Sequence, residues 1–474
     1  MKDNTKRKIA DLLSSNEPDA RRRAAEDLGG QNSLAVIAAL AAALNDENNG
    51  VRDASSHALL SMGGANVARA IVEYIADDSI VTRNLAGELL HQLGKESIPA
   101  LLPYLQDSNH DVRKFAVDLV GLIGWQSVAH YVVPLLHDPD PNVVCAASEA
   151  LGNLRNQEIV PQLIQAYKTH SYAQAAVAEA LGKIGGPQAG EFLLLAFNKI
   201  VTDATIDPVV LCILIESLSS AGDDHALIVL QNRIHHVQGK LRHELLHAMV
   251  RISERVLGKV DLPSNLAHDL LEALADDDPK IKASAAKGLA SSREPGVTKT
   301  LLHCFGIEEE LDELLYALLE QRDDALLGTV ELISQPSCPV SLCGIRLIGR
   351  LANRLIQMIL RHERIDYEEQ LLVRAFDVVA AHWPEADEDT RAAIVDTLFR
   401  LDGDRTVGFL DVIMEDPNPW LRVRVIEQLA AVGDRRIPTF VNRFLGDEDE
   451  MVREAAMAIM QTGWKSYPPE ALIG

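Results

Sequence analysis

Residues 107–124 read DSNHDVRKFAVDLVGLIG, and this stretch decides the fold of the chain. An aspartate and two small polar residues, which are typical of a turn and a helix N-cap, precede an apolar residue and Arg113. Apolar residues then recur every three or four positions as far as Ile123, and Gly124 follows them. The spacing predicts an amphipathic α-helix that ends at a glycine suited to a left-handed C-terminal cap.

The same pattern recurs along the chain with a nearly constant period. Consecutive repeats that carry the arginine place it 30 or 31 residues apart, while Val144 and Gln174 hold the same slot without a charge. A period of this length is typical of repeat architectures. The arginines of the regular repeats are Arg21, Arg52, Arg83, Arg113, Arg422 and Arg453.

Each repeat reads as two helices. The first, as in residues 97–107, has apolar residues at helical spacing and ends in a turn rich in Asp, Asn and Pro. The second contains the arginine. Neither helix could bury its apolar face alone, so the sequence predicts an all-α fold, an α-solenoid of about thirteen stacked helix pairs. The glycines expected to cap the second helices are Gly63, Gly94, Gly124, Gly182 and Gly433.

The regularity of the repeats divides the chain into four predicted stretches. Residues 1–186 carry regular repeats, and residues 187–295 carry lengthened ones. Residues 296–390 are the most degenerate, and they form either a bend or a separate docking surface. Regular repeats and a tail follow in residues 391–474.

The motif D-x-x-x-x-V-R-x-x-A-x-x-A-L-G resembles that of the HEAT-repeat family, in particular the short repeats named after phycobilisome lyases. Residues 107–121 carry it clearly and residues 447–462 loosely, and the resemblance covers about two-thirds of the chain. It implies a solenoid in which the second helices line the concave surface. The family's members include scaffolds, transport receptors, bilin lyase subunits, DNA glycosylases and deoxyhypusine hydroxylase, so the motif indicates a fold more than a function.

A helical wheel at about 100° per residue separates two faces of the second helix. The centre of the apolar face lies about 70° around the helix from the arginine, so the arginine stands at the edge of that face. From there its guanidinium is expected to reach aspartates of neighbouring turns and to form a structural ladder with Asp46, Asp77, Asp107, Asp416 and Asp447. The fifth residue after the arginine points away from the core. Lys287 holds this slot in one repeat. The other occupants, which we predict to bind a partner, are Glu26, His57, Glu88, Asp118, Glu149, Glu179, His247, Asp396 and Glu427.

The formal net charge of −24 narrows the classes of partner. A field of this sign repels phosphate backbones, so the sequence predicts a protein partner with a basic segment and no nucleic acid. The longest apolar run, Leu34 to Leu44, is too short to insert across a membrane. Five cysteines without a C-x-x-C pair and an N-terminus without an apolar signal region favour a cytoplasmic location.

Residues 243–247 match H-E-x-x-H, the zinc-binding motif of a class of metalloproteases. The longer form of that motif needs Gly and His where the chain has Val250 and Ser253, although Glu272 stands at a spacing that could supply a ligand. The His-Glu pairs at 243–244 and 362–363 are too few for the di-iron site of deoxyhypusine hydroxylase. The sequence therefore predicts no enzyme, no cofactor and no metal site.

These observations favour a non-catalytic scaffold or adaptor that binds a partner protein along an acidic concave groove. Two alternatives stay open. The first is a lyase-like subunit or chaperone that assists the attachment of a bilin, since the repeat type and a groove suit it. The second is a metal-dependent enzyme built on His243 and His247.

Overall fold

The computed structural model describes residues 3–202, 207–292, 296–306, 309–335, 338, 340–360, 366–432 and 437–462. Every regular element in these ranges is an α-helix or a short 3₁₀ helix, and none is a strand. The prediction of an all-α fold built from stacked helix pairs is confirmed. The chain divides into two compact units, Met1–Lys259 and Val260–Gly474. The boundary falls inside the stretch predicted to carry lengthened repeats, and the four-part division stays a prediction.

The first unit contains eight helix pairs among its described residues. Its helices are α1 (Asp3–Ser14), α2 (Pro18–Leu28), α3 (Leu34–Ala42), α4 (Asn49–Met62), α5 (Gly64–Ile71), α6 (Ile80–Leu93), α7 (Ile98–Leu101), α8 (His110–Ile123), α9 (Ala129–Val132), α10 (Pro141–Leu154), α11 (Val160–Thr169), α12 (Gln174–Ile184), α13 (Pro187–Val201), α14 (Pro208–Ala221), α15 (Asp224–Arg233) and α16 (Lys240–Leu257).

The second unit contains six pairs in the ranges that the structure describes, so the two units together hold one pair more than the predicted thirteen. Its helices are α17 (Ala267–Ala273), α18 (Pro279–Ser291), α19 (Val297–Leu302), α20 (Glu309–Leu319), α21 (Ala325–Ile333), α22 (Ser341–Leu360), α23 (Asp366–Ala381), α24 (Glu388–Leu401), α25 (Gly403–Ile413), α26 (Pro419–Val432), α27 (Ile437–Phe444) and α28 (Glu450–Thr462).

The helices of the first unit form two layers. Each even-numbered helix from α2 to α14 contacts the next even-numbered one, and odd-numbered helices pack against each other and against the even-numbered helix of their own pair. The first helices α7 and α9 are only four residues long and pass into 3₁₀ turns that contain Pro103 and Pro134. A proline lacks the N–H that an α-helix needs there, which explains the tighter turn.

Local signals set the ends of the even-numbered helices. The side chains of Asn48, Ser79, Asn109 and Asp140 accept hydrogen bonds from backbone amides in the first turns of α4, α6, α8 and α10. The apolar slots of the motif are buried, as the wheel predicts. In α8, Ala116 and Val120 have no exposed surface.

Glycines cap the second helix at three of the predicted positions, although only Gly124 has the left-handed αL conformation, and the prediction is wrong at a fourth position. Gly63, Gly94 and Gly124 have φ of 61°, 64° and 68°, which only glycine adopts without strain. Gly182 instead lies inside α12, where a Cβ atom would come within 2.7 Å of the Cβ of Ser217 in α14. It is a glycine because two helices meet there, and Gly185 caps α12 instead. Gly433 lies outside the described residues.

Gly182 belongs to a series of close approaches between even-numbered helices. A Cβ atom on Gly121 in α8 would lie 2.7 Å from the Cα of Ala150 in α10. One on Gly152 in α10 would lie 2.8 Å from the Cα of Ala180 in α12. These three contacts bring the backbones of α8, α10, α12 and α14 unusually near to each other.

Four arginines at the motif slot link their repeat to the next, so the predicted ladder is present in part and with a different pairing, whereas Arg52 donates only to the turn of its own repeat. Nε and Nη2 of Arg113 donate to both carboxylate oxygens of Asp138, 25 residues further on, at 2.8 Å. Nη1 donates to the backbone carbonyl of Asp107 in the repeat's own turn. Arg21 with Asp46 and Arg422 with Asp447 form the same bidentate pair, and Arg391 bonds Asp416 through Nη1 alone.

Candidate functional site

The even-numbered helices of the first unit carry one outward-pointing residue each at the fifth position after the motif slot. We call these eight residues the outward row. Six of them are exposed, while Asp118 and His247 are half-buried. The members, in order from α2 to α16, are Glu26, His57, Glu88, Asp118, Glu149, Glu179, Glu216 and His247.

The sequence predicted seven of these residues and missed Glu216. The repeat that contains α14 is lengthened, and Leu211 replaces the arginine that marks the slot elsewhere. The apolar spacing contained the missing signal, because Val210, Leu214 and Leu218 are buried at the offsets that apolar residues occupy in a regular repeat. Glu216 is exposed five residues after Leu211.

Five consecutive members of the outward row are carboxylates, and they lie between the two histidines. We call them the acidic row: Glu88, Asp118, Glu149, Glu179 and Glu216. They stand on α6, α8, α10, α12 and α14, and each of these helices contacts the next one. The fold thus places the five carboxylates in spatial order on one face of the unit.

Lysines on the same helices neutralise two members of the acidic row. Lys114 lies 2.8 Å from a carboxylate oxygen of Asp118, and Lys183 lies 2.8 Å from one of Glu179. Both pairs are one helical turn apart and face solvent, where such a pair is worth about 0.3–0.5 kcal/mol. Arg22 pairs with Glu26 in the same manner, at 2.9 Å. These three positions therefore carry less net charge than the sequence suggested.

The other three members of the acidic row have an uncompensated charge among the described residues; they are Glu88, Glu149 and Glu216. Within the described ranges, no lysine or arginine forms an ion pair with any of them. Glu88 accepts a hydrogen bond of 2.6 Å from the uncharged side chain of Gln92. Charged and neutralised carboxylates therefore alternate from α6 to α14.

Cysteines stand one turn before two of the charged glutamates and leave them uncompensated. Burial raises the pKa of the Cys145 thiol, and the charge of Glu149 raises it further. Burial likewise raises the pKa of Cys212, with smaller contributions from Glu244 and Glu216. Both thiols therefore stay protonated and uncharged near neutral pH.

A cleft of about 740 Å³ opens at the beginning of the outward row, between α2 and α4. The side chains of Arg22, Glu26, Asp53 and His57 line it. Nδ1 of His57 donates to the backbone carbonyl of Asp53 at 2.8 Å, because a carbonyl oxygen can only accept. That bond fixes the ring against its own helix.

The H-E-x-x-H segment lies entirely within α16. His243 and His247 are half-buried, and Leu245 and Leu246 between them are in the core. In the part of the chain that the structure describes, no three His, Cys, Asp or Glu side chains cluster closely enough to hold a metal ion. The second His-Glu pair, at 362–363, lies outside that part.

The two predicted partner-binding residues of the second unit differ from each other. Asp396 on α24 is half-buried and accepts hydrogen bonds from Arg424 and Gln428 on α26. Glu427 on α26 is exposed. Asp396 thus contributes to the packing of α24 against α26, and the outward carboxylates of the second unit do not form a run like the acidic row in the described residues.

No helix in the described ranges combines the length and the apolar character needed to span a membrane.

Solved structures in which the chain follows a similar course include those of importin beta and of Kap121p. A crystal structure of importin beta has a TM-score of 0.48 and 12% sequence identity, over 96% of this chain and 76% of that one. A crystal structure of Kap121p bound to Nup53p has a TM-score of 0.49 and 11% identity, over 96% of this chain and 56% of that one. No curated protein matches the chain.

The model of the family described as HEAT repeats matches residues 7–90, 129–203 and 377–462. These segments amount to more than half of the chain, and each coincides with stacked helix pairs. The finer resemblance to phycobilisome-lyase repeats stays a prediction. On the sequence match and the helix pairs together, the chain belongs to the HEAT-repeat family.

Proposed function

We propose that the chain is a non-catalytic scaffold or adaptor that binds a partner protein along the even-numbered helices of its first unit. The observation that carries this proposal is the acidic row, with five carboxylates on five successive even-numbered helices. A surface of this kind is complementary to a segment with several lysines or arginines.

The physical role of the acidic row is to steer and align the partner. Charges of one sign raise the rate of encounter with an oppositely charged segment and suppress binding of acidic ones. Helices in contact lie about 8–10 Å apart, so the row extends over about 32–40 Å. That length accommodates an extended segment of at least ten residues.

We propose that the chain acts in the cytoplasm and does not bind nucleic acid. The five free cysteines support a reducing compartment, and the net charge of −24 opposes a phosphate backbone. The proposal needs neither a cofactor nor a metal ion.

A binding titration with short peptides tests the proposal. Three fluorescent 15-residue peptides, one rich in Lys, one rich in Glu and one uncharged, are titrated with the full chain at about 50 and 300 mM salt. Fluorescence anisotropy should show binding of the Lys-rich peptide alone, and that binding should weaken as the salt concentration rises, since exposed charges are screened. Equal binding of all three peptides, or no binding of the Lys-rich peptide at low salt, contradicts the proposal.

A further inference from the structure

We propose that a cleft between α6 and α8 binds a carboxylate group of the partner segment, and that the guanidinium of Arg83 holds it. This inference rests on the proposed function and adds a contact of opposite charge beside the acidic row. It follows from two observations. Arg83 has no side-chain partner among the described residues, and it lines the cleft.

Arg83 differs from the other arginines at the motif slot. Four of those arginines bond an aspartate 25 residues further on, and they are Arg21, Arg113, Arg391 and Arg422. Arg52 and Arg453 donate to backbone carbonyls in the turn of their own repeat. The side chain of Arg83 makes neither contact, and it forms no ion pair with any residue that the structure describes. Its guanidinium is therefore available to a ligand.

The length of the repeat explains why Arg83 is unpaired. The repeat that follows Arg83 is one residue shorter, so Asp107 stands 24 residues further on and Ser108 holds the position 25 residues further on. The ring of Phe115 also stands between α6 and α8, because a Cβ atom on Gly87 would lie 2.6 Å from that ring. The change of register and the aromatic ring together keep the next turn away from Arg83 and leave a cleft between the two helices.

This cleft has a volume of about 380 Å³, and it combines the arginine with apolar surface. Arg83 and Asn84 line it from α6, and Val112 and Phe115 line it from α8. Arg83 and Phe115 are half-buried. A partly buried charge is screened less by salt than an exposed one, and a guanidinium matches both oxygens of a carboxylate. The cleft therefore suits a carboxylate whose carbon chain packs against the ring.

The other charges in the cleft narrow the class of anion. Asp78 and Asp111 line it and are exposed, while Asp118 is neutralised by Lys114 at 2.8 Å. A phosphate group, with a charge of about −1.5 to −2, would be repelled by the two free aspartates more strongly than a carboxylate with a single charge. Lysines that flank a carboxylate in a basic segment would be attracted by the same aspartates. The ligand is therefore a carboxylate within a Lys-rich segment, either its C-terminal group or the side chain of a glutamate.

The cleft adjoins the acidic row at the first two positions of that row. Asp118 lines the cleft, and Glu88 lies on α6 five residues after Arg83. A basic segment that crosses α6 and α8 thus meets one arginine among the carboxylates. A single charge of opposite sign marks one position along the surface, so it fixes the register of the partner.

Three fluorescent Lys-rich peptides of 15 residues test the site. The first ends in a free carboxylate, the second is amidated at its C-terminus, and the third is amidated and has Glu in place of an uncharged central residue. The first and third have one positive charge less than the second, so attraction to the acidic row alone would weaken their binding. Anisotropy at about 50 mM salt should instead show at least one of them binding about threefold tighter than the second. Tighter binding of the first identifies a C-terminal carboxylate as the ligand, and tighter binding of the third identifies a side chain.

Two variants of the full chain assign this preference to Arg83. Arg83→Gln should abolish the preference and keep the melting temperature of the wild type, because the side chain bonds no described residue. Arg69→Gln, which removes an exposed charge from α5, should keep the preference.

Three results would overturn the site. They are tightest binding of the amidated all-Lys peptide, a preference that survives Arg83→Gln, and a melting temperature that falls in this variant. Each of them leaves the binding of basic segments intact. A failure of all three peptides to bind would overturn the proposed function as well.

Discussion

Arg113 on α8 and Asp138 in the next repeat form a bidentate ion pair, with both N–O distances at 2.8 Å. The guanidinium also donates to the carbonyl of Asp107, so one side chain joins two turns that are a whole repeat apart. Both side chains are largely buried, which shields the pair from solvent. Arg21 and Arg422 make the same contacts with Asp46 and Asp447. These arginines hold neighbouring repeats in register.

Replacement of Arg113 by Ala should lower the free energy of unfolding of the first unit by about 2 kcal/mol, because the change removes charged hydrogen bonds and leaves Asp138 without its cation. Urea unfolding followed by circular dichroism measures the change. The control is Arg22→Ala, which removes an exposed pair with Glu26 and should cost no more than about 0.5 kcal/mol. Equal losses in the two variants would show that the bidentate pair adds nothing.

The same pair makes stability depend on pH at the acidic end. Burial alone raises the pKa of Asp138, but hydrogen bonds from Arg113 and from the amide of Asp140 outweigh it and hold that pKa below its usual value. The contribution of the carboxylate is therefore complete above a pH of about 4, the value in the unfolded chain, and is lost as the pH falls through the lower folded value.

Asp138→Asn should accordingly reduce stability at pH 7 and flatten its decline below pH 4. Urea unfolding at several pH values between 7 and 2.5 compares the two proteins. A decline of the same steepness in the variant would mean that Asp138 does not contribute to acid unfolding.

Gly182→Ala tests the close approach of α12 and α14. The added methyl group would come within 2.7 Å of the Cβ of Ser217 and 2.8 Å of its Cα. Overpacking of this kind costs about 1–3 kcal/mol, against a gain of about 1 kcal/mol in helix propensity, so we expect a lower melting temperature. Gly30→Ala is the control, since a Cβ there meets no atom within 4 Å. A melting temperature that rises in Gly182→Ala would contradict the contact.

The sequence predicted the helix pairs and the outward row because both depend on local spacing. Apolar residues at helical intervals determined which face of α8 is buried, and the offset from Arg113 located Asp118. Contacts between repeats were harder to predict. The partner of Arg113 is 25 residues away in the sequence. Gly182 resembles a helix cap in the sequence, and only its contact with Ser217 on α14 explains the glycine.

The net charge at each position of the acidic row depends on neighbouring side chains of the same helix as well as on the carboxylate itself. Lys114 and Lys183 neutralise Asp118 and Glu179 from the same helices, so the relevant pattern combines two positions of the wheel. Glu216 was missed because its repeat lacks the arginine that anchors the alignment. An alignment of the repeats on their apolar slots would have located Glu216, and the spacing of four residues between each lysine and its carboxylate would have indicated the two ion pairs.

A comparison of two charge-reversal variants tests the central claim most directly. The first changes Glu88, Glu149 and Glu216 to Lys. The second changes Glu73, Glu158 and Glu191 to Lys. These three residues are exposed on the other layer of the same unit, so the two variants change the net charge of the chain by the same amount. The affinity for the Lys-rich peptide, measured by anisotropy at about 50 mM salt, should fall at least tenfold in the first variant, a loss of about 1.4 kcal/mol, and less than about twofold in the second. Equal losses in both variants would show that only the total charge matters and would contradict a binding face on the even-numbered helices.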